Sequence, residues 1–305
     1  MELYLDNQFC QKITDALYKV SFETKEEFIC AYNFIDLINS DSIQIKNIPV
    51  SKDDFKRLLI SNSNFNNLSK IKVELNEINH PFSIVFANSI DTPSTRRDTD
   101  VAAYSFEEIL KNKDVFFDKK TSDVRADLKS WGKLTNRLLK FQYVIICDNY
   151  LFQNNPNNIN DFIKSIFLNQ NRNRHFEILI NTSSRQFVNM DDIEIKEIID
   201  KKFTEINSML SKKLKLENYT FVIMLNNRYH DRHFYTNLQI FESTNSFSLY
   251  FNCNAKLHEF SILTKNNDSI ILDKYIHNLQ ELKKIYNLGN TTKISNGDFK
   301  LFDFI

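Results

Sequence analysis

Between residues 143 and 225 apolar runs alternate with helical periodicities, and this alternation constrains the fold more than any other feature of the sequence. Tyr143–Cys147 (YVIIC) reads as a buried strand. Ile159, Phe162, Ile163, Ile166 and Phe167 then recur at the spacing of one helix face. Phe176–Ile180 (FEILI) predicts a second strand. From about Asp192 to about Leu214, Ile195, Ile198, Ile199, Ile206 and Leu210 predict a second helix, capped by Asp191 or Asp192. Phe221–Leu225 (FVIML) predicts a third strand. Strand, helix, strand, helix, strand argues for an α/β fold with a mainly parallel sheet covered by helices.

Glycine is scarce. Among 305 residues only Gly132, Gly289 and Gly297 occur, so a G-x-G-x-x-G dinucleotide fold, a P-loop and a G-x-S-x-G nucleophile elbow are all excluded in their usual forms. Any anion this chain meets must be held by side chains. Lys plus Arg number 39 against 39 Asp plus Glu, so nucleic-acid binding would rest on a local patch rather than on the whole surface. Cys10, Cys30, Cys147 and Cys253 fall at no metal-ligand spacing, and His80, His175, His258 and His277 look like surface or loop residues. Neither a metal site nor a cofactor is expected. No apolar run reaches the roughly 18 residues of a membrane span. The first residues do not read as a signal peptide, so reduced thiols and a cytoplasmic location are expected.

Residues 1–136 read as a separate α/β region of unassigned role, and 137–305 as a second domain. In the first, Lys25–Ile38 and Lys52–Ile60 predict helices, the latter capped by Ser51, and Pro81–Ala87 predicts a strand. Asn88–Asp100 is a loop whose Arg96 and Arg97 either reach a ligand or are ordinary solvated charges. Phe106–Leu110 begins another helix. Lys111–Lys129 alternates acid and base and predicts an exposed element. Ser130–Lys140 predicts an amphipathic helix that joins the two regions and buries Trp131. Asn267–Asn287 predicts a terminal helix, with Gly289 suited to its C-cap.

The chemistry converges on Phe221–Phe251. A polar turn there delivers His230, Asp231, Arg232 and His233, and strands are predicted at Phe234–Phe241 and Phe247–Phe251. Histidine and arginine two apart at a strand's start share a face, and an imidazole beside a guanidinium makes an anion site suited to phosphate. Taken alone, H-D-R between strands is an ordinary hairpin corner. Asp148, Asn149 and Tyr150 follow the first strand of the α/β run, at the carboxyl edge where open α/β sheets bind ligands. They are placed near His230 as ligand-binding candidates, although a turn satisfying its own backbone accounts for them equally.

With Asn237, the turn spells His-x-Arg-x-x-x-x-Asn, which resembles the His-x-Lys-x-x-x-x-Asp signature of the phospholipase D superfamily. The phospholipase D-like C-terminal domain of MIT-domain proteins, where His-Asp-Arg replaces the catalytic form, is more similar still. The resemblance covers roughly residues 138–251. It implies a phospholipase D-like mixed sheet in which His230 is nucleophile and general acid, Arg232 clamps phosphate, His233 assists and Asn237 orients. Two such motifs face each other in active members of the superfamily. The single copy here implies a homodimer if the chain is to cleave a phosphodiester. Asparagine in the aspartate slot, arginine in the lysine slot and the lack of a Gly-Ser element downstream, where Ser243–Ser246 stand, weigh against hydrolysis.

Three functional readings follow. The first is a catalytically degenerate module that recognises a phosphate-bearing ligand, nucleic acid or nucleotide, or a protein partner. The second is a metal-independent phosphodiesterase or nuclease acting as a homodimer through His230. The third is a structural subunit of a larger assembly. Compact α/β chains of this type look similar to components of bacterial antiviral defence operons, an analogy that implies a protein partner.

Overall fold

The computed structural model describes the chain except for residues 19–23, 40–42, 62–72, 74–77, 79–82, 90–101, 119, 129, 154–155, 171, 173, 230–231, 249–254, 262–264, 267–268 and 290. The protein is α/β and forms two compact units: Met1–Asp118 with Leu263–Asp273, and Lys119–Ile262 with Lys274–Ile305.

The first unit is organised on a parallel sheet. β1 (Glu2–Leu5) pairs with β2 (Gln44–Ile45) on one side and β3 (Ser83–Phe86) on the other, and β3 pairs with β4 (Ala102–Tyr104). Its helices are α1 (Asn7–Tyr18), α2 (Lys25–Ile38), α3 (Lys52–Ile60), α4 (Phe106–Lys111) and α5 (Lys113–Phe117). Phe9, Phe34 and Phe86 form the aromatic centre of the core, with ring centroids 5.2, 5.3 and 5.6 Å apart. Ser51 caps α3 as its sequence predicts, its hydroxyl accepting from the Asp54 N–H at 3.1 Å. Arg96 and Arg97 lie outside the described residues.

The second unit carries an eight-stranded sheet. In chain order its elements are β5 (Lys120–Asp123), β6 (Tyr143–Cys147), α6 (Pro156–Phe167), β7 (His175–Thr182), α7 (Asp192–Ser208), β8 (Asn218–Leu225), β9 (His233–Thr236), β10 (Gln239–Ser243) and β11 (Lys256–Ser261). A short ladder of β12 (Lys265–Asn266) with β13 (Ser269–Ile270) falls in the first unit, and α8 (Ile271–Tyr286) and β14 (Thr292–Ser295) complete the chain. The strand order is β14-β8-β7-β6-β9-β10-β11-β5, with β6, β7 and β8 parallel and the remaining pairs antiparallel.

The predicted apolar stripes meet on one face of this sheet. Phe162, Ile163 and Ile166 of α6 and Ile195, Ile199 and Ile206 of α7 pack with Val144, Ile146, Ile178, Ile180 and Ile223. Asp191 caps α7 in a full capping box with Glu194. On α8, Tyr275, Leu279 and Leu282 are buried, and the Tyr275 hydroxyl donates to the Thr236 carbonyl at 2.8 Å.

Five expectations need correction. The domain boundary expected after residue 136 falls after Asp118, because β5 pairs with β11 and Arg137 bridges Ser122 and Glu259, tying that segment to the second unit. Lys111–Lys129 is not simply exposed: Phe116 and Leu128 are fully buried, apolar anchors that the charge alternation hides. The predicted helix at Ser130–Lys140 is a 3-10 run, Trp131–Arg137, although Trp131 is buried as expected, 4.6 Å from the Phe162 ring. The strand expected over Phe234–Phe241 is a hairpin, β9 and β10, broken at Asn237 and Leu238. Gly289 is not a left-handed C-cap, because no described glycine has positive φ and α8 closes instead through Leu288 N–H to the Ile285 carbonyl.

Past α7 a five-residue π-turn, Met209–Lys213, ends at Lys215 with φ 56°, the left-handed position where glycine is usual. Leu216 N–H reaches back to the Leu210 carbonyl at 3.1 Å, closing the end. Lys215→Gly relieves the Cβ strain, and the expected gain is about 0.5–1 kcal/mol of unfolding free energy, read from urea denaturation.

Candidate functional site

Parallel strands β6, β7 and β8 are laid outward in one direction, and the chain then returns to the other side of β6 as β9. The order reverses between β6 and β9. Ligands of open α/β sheets bind outside the carboxyl ends of strands at such a reversal. Cys147, the last residue of β6, stands opposite His233, the first of β9, so Asp148–Tyr150 and Arg232 meet at this point.

Asp148 is the organiser. Its side chain is buried, and it accepts from the Tyr150 N–H at 3.0 Å, the Ser246 hydroxyl at 2.6 Å and the Phe247 N–H at 2.7 Å. Burial pushes its carboxyl above the ordinary range, opposed by those three hydrogen bonds and by the Arg232 charge. Ser248 extends the link, donating to the Tyr150 carbonyl at 3.2 Å. The turn therefore satisfies its own backbone and also pins a distant segment. Asn149 beside it is buried, and Tyr150 is 40% exposed.

Arg232 is held but not consumed. The Ser243 N–H donates to its carbonyl at 2.9 Å, which continues the β9–β10 ladder by one pair. Its guanidinium lies 5.6 Å from the Tyr150 ring centroid, and Nη1 donates to the Thr244 carbonyl at 3.3 Å. The Nε atom is buried with no partner among the described residues. A guanidinium has five N–H donors, so most of this one remains available.

His233 turns the other way. Strand side chains alternate, and Phe234 faces Phe162 and Phe247, so His233 and Tyr235 face α8. His233 is 7% exposed, with Nδ1 2.9 Å from the Tyr235 hydroxyl and Nε2 3.4 Å from Glu242 Oε1. The Tyr229 and Tyr235 hydroxyls are 2.7 Å apart, Asn278 donates to Tyr235 at 3.1 Å, and Lys274 pairs with Glu242. Both ring nitrogens are occupied, which removes His233 from any assisting role at Arg232. The partners of His233 were missed in sequence because a nine-residue gap to Glu242 carries no motif; the hairpin places the two directly opposite.

Asn237 does not join the site either. It sits at the opposite end of β9, buried, with Oδ1 accepting from the Gln142 N–H at 2.7 Å and the Tyr143 N–H at 3.1 Å. It fixes the entry to β6. His230 and Asp231 lie outside the described residues, as do 249–251 of the strand expected at Phe247–Phe251, while Phe247 and Ser248 form a turn. Among the described residues no group of three His, Cys, Asp or Glu side chains could hold a metal ion, and no helix is long and apolar enough to cross a membrane.

Two outcomes follow. Asn237→Ala strands the buried Tyr143 N–H and the part-buried Gln142 N–H, and the expected loss is about 1–3 kcal/mol of stability by denaturant titration. Glu242 is held down at about 2 against an ordinary 4.5, first by His233 and also by Lys274, against the opposing effect of burial. A depressed folded-state value contributes stability fully above 4.5 and loses it as pH falls toward about 2. The stability difference between the parent and Glu242→Gln should therefore shrink steadily when urea midpoints are compared down that acid range.

No family model and no curated protein matches this chain. Among solved structures it is similar to TrmBL2, an archaeal chromatin protein whose structure shows a novel mode of DNA binding, with 12% identity and a TM-score of 0.28. The match covers 54% of this chain and 52% of the other, so the chain spans about half the length of that protein, and a likeness this weak carries no argument.

Proposed function

We propose that the second unit is a phospholipase D-like, catalytically degenerate module that recognises a phosphate-bearing ligand, nucleic acid or nucleotide, through Arg232. One observation carries this reading: a guanidinium sits at the reversal point of the sheet with its Nε buried and unpartnered among the described residues and only Nη1 engaged. A donor in that state costs free energy until an acceptor arrives, and a phosphate oxygen is a suitable acceptor. The order of strands and helices from β6 to β10, with the sequence His230-Asp231-Arg232 just ahead of β9, supports the phospholipase D-like assignment.

Binding is favoured over cleavage by what surrounds Arg232. A histidine nucleophile needs a partner that orients its ring. Asn237 is committed to the start of β6, and His233 is committed to Tyr235 and Glu242. The test uses a mixed-sequence single-stranded DNA oligonucleotide and inorganic phosphate as probes. Arg232→Ala should weaken binding by about tenfold or more, and Arg232→Lys should restore it only in part, because an ammonium cannot offer the same fork. No turnover of the oligonucleotide is expected from the parent. Chelator-resistant cleavage that disappears in His230→Ala would replace this reading with that of a dimeric phosphodiesterase. Unchanged binding of both probes in Arg232→Ala would remove the phosphate site.

A further inference from the structure

The loop after β8 has a second side. Beyond Leu225, Asn226–Arg228 line a cleft of about 580 Å³ together with the first two turns of α7 and the segment leading into β14. The volume lies within the roughly 300–1,000 Å³ of small-molecule sites. None of the residues discussed at Arg232 lines it.

Its polar wall is fixed in place. The Asn227 carboxamide oxygen accepts from the Ser183 hydroxyl at 2.6 Å and the Ser184 N–H at 3.1 Å, and the Asn226 oxygen accepts from the Arg228 N–H at 2.7 Å. The donor side of the wall is unfinished. Asn226 is 7% exposed, and among the described residues its Nδ2 makes only a 3.5 Å contact with Asn181 Oδ1; behind it, Asn181 is fully buried and its Nδ2 has no partner among the described residues. Buried amide donors left in that state ask for an acceptor.

Positive charge is also free there. Asp192 and Lys196 stand four apart on α7, a spacing that normally pairs, yet neither forms an ion pair among the described residues, and neither does Arg228. The α7 N-terminus does not itself supply the anion site, because Asp191 already caps the Ile193 and Glu194 N–H groups. Ile195, Leu225 and Leu288 add apolar lining to the cleft. A bare inorganic ion would leave that lining unused.

We infer that this cleft is a binding site for a small organic phosphate of mononucleotide size, with Arg228 and Lys196 taking the phosphate, Asn226 meeting an acceptor, and Ile195, Leu225 and Leu288 covering the base. The inference is independent of the site at Arg232. Isothermal titration of the full chain at low salt would use AMP, GMP, CMP and UMP as probes, with adenosine and inorganic phosphate as fragments.

At least one nucleotide should saturate with a Kd below about 1 mM, and each fragment should bind at least about tenfold more weakly. The titrations are run in the Arg232→Ala background, which removes the rim site, and there Arg228→Ala and Lys196→Ala should each weaken the nucleotide by about tenfold or more. Both substituted side chains are exposed, so far-UV circular dichroism should be unaltered. The proposal is overturned if no nucleotide saturates, if phosphate alone binds as tightly as the nucleotide, or if binding ignores Arg228 and Lys196. Loss of nucleotide binding in Arg232→Ala alone would also overturn it and assign the ligand to the rim.

Discussion

Asp148 ties the carboxyl end of β6 to a segment almost a hundred residues away. A carboxylate buried at that depth is tolerated only when its oxygens are hydrogen-bonded, and here three donors converge on it. The consequence is geometric. Ser246 and Phe247 are drawn against the 148–150 turn, Tyr150 is held at the rim by that turn, and the Arg232 guanidinium lies over its ring. Remove the carboxylate and the turn, the 246–248 segment and the arginine lose their common reference.

The same sheet edge separates two chemistries by alternation alone. Arg232 and Phe234 share the face that carries α6, while His233 and Tyr235 share the face that carries α8. Neighbouring residues of one tetrapeptide therefore have different fates: an arginine whose Nε has no partner among the described residues on one side, and a histidine saturated by two tyrosines and a glutamate on the other. The buried His233 network couples β9, β10 and α8, since Lys274 and Asn278 reach Glu242 and Tyr235. Its role is to lock the hairpin that presents Arg232.

Much of this was legible in the sequence where burial is periodic. Ile159 to Phe167 and Ile195 to Leu210 each show one continuous apolar face, so α6 and the α7 run with its Asp191 cap could be read directly. β5 could not, because Lys120–Asp123 is polar throughout and becomes a strand only through pairing with β11. The hairpin at Asn237 and Leu238 was hidden for a different reason. It contains neither glycine nor proline, and the Thr236 hydroxyl closes it by accepting from Leu238 and Gln239 N–H at 3.4 and 3.1 Å. Missing that turn made Asn237 part of a linear motif, whereas two residues of loop put Glu242 across from His233 and carry Asn237 to the far end of the sheet.

A chain nearly without glycine has to solve anion recognition differently from one with a backbone cradle. Backbone N–H groups arrive ordered, whereas arginine and lysine side chains give up considerable rotamer freedom on binding. Affinity then depends on how much of that ordering precedes the ligand. Arg232 is ordered in advance by the Tyr150 ring and the Thr244 carbonyl, and Asn226 by the Arg228 N–H, while Arg228 and Lys196 are exposed and form no ion pair among the described residues. On the proposed reading, the rim at Arg232 is thus the better preorganised of the two, suited to selecting a ligand by shape. The cleft at Arg228 depends more on charge, which makes its affinity the more sensitive of the two to ionic strength.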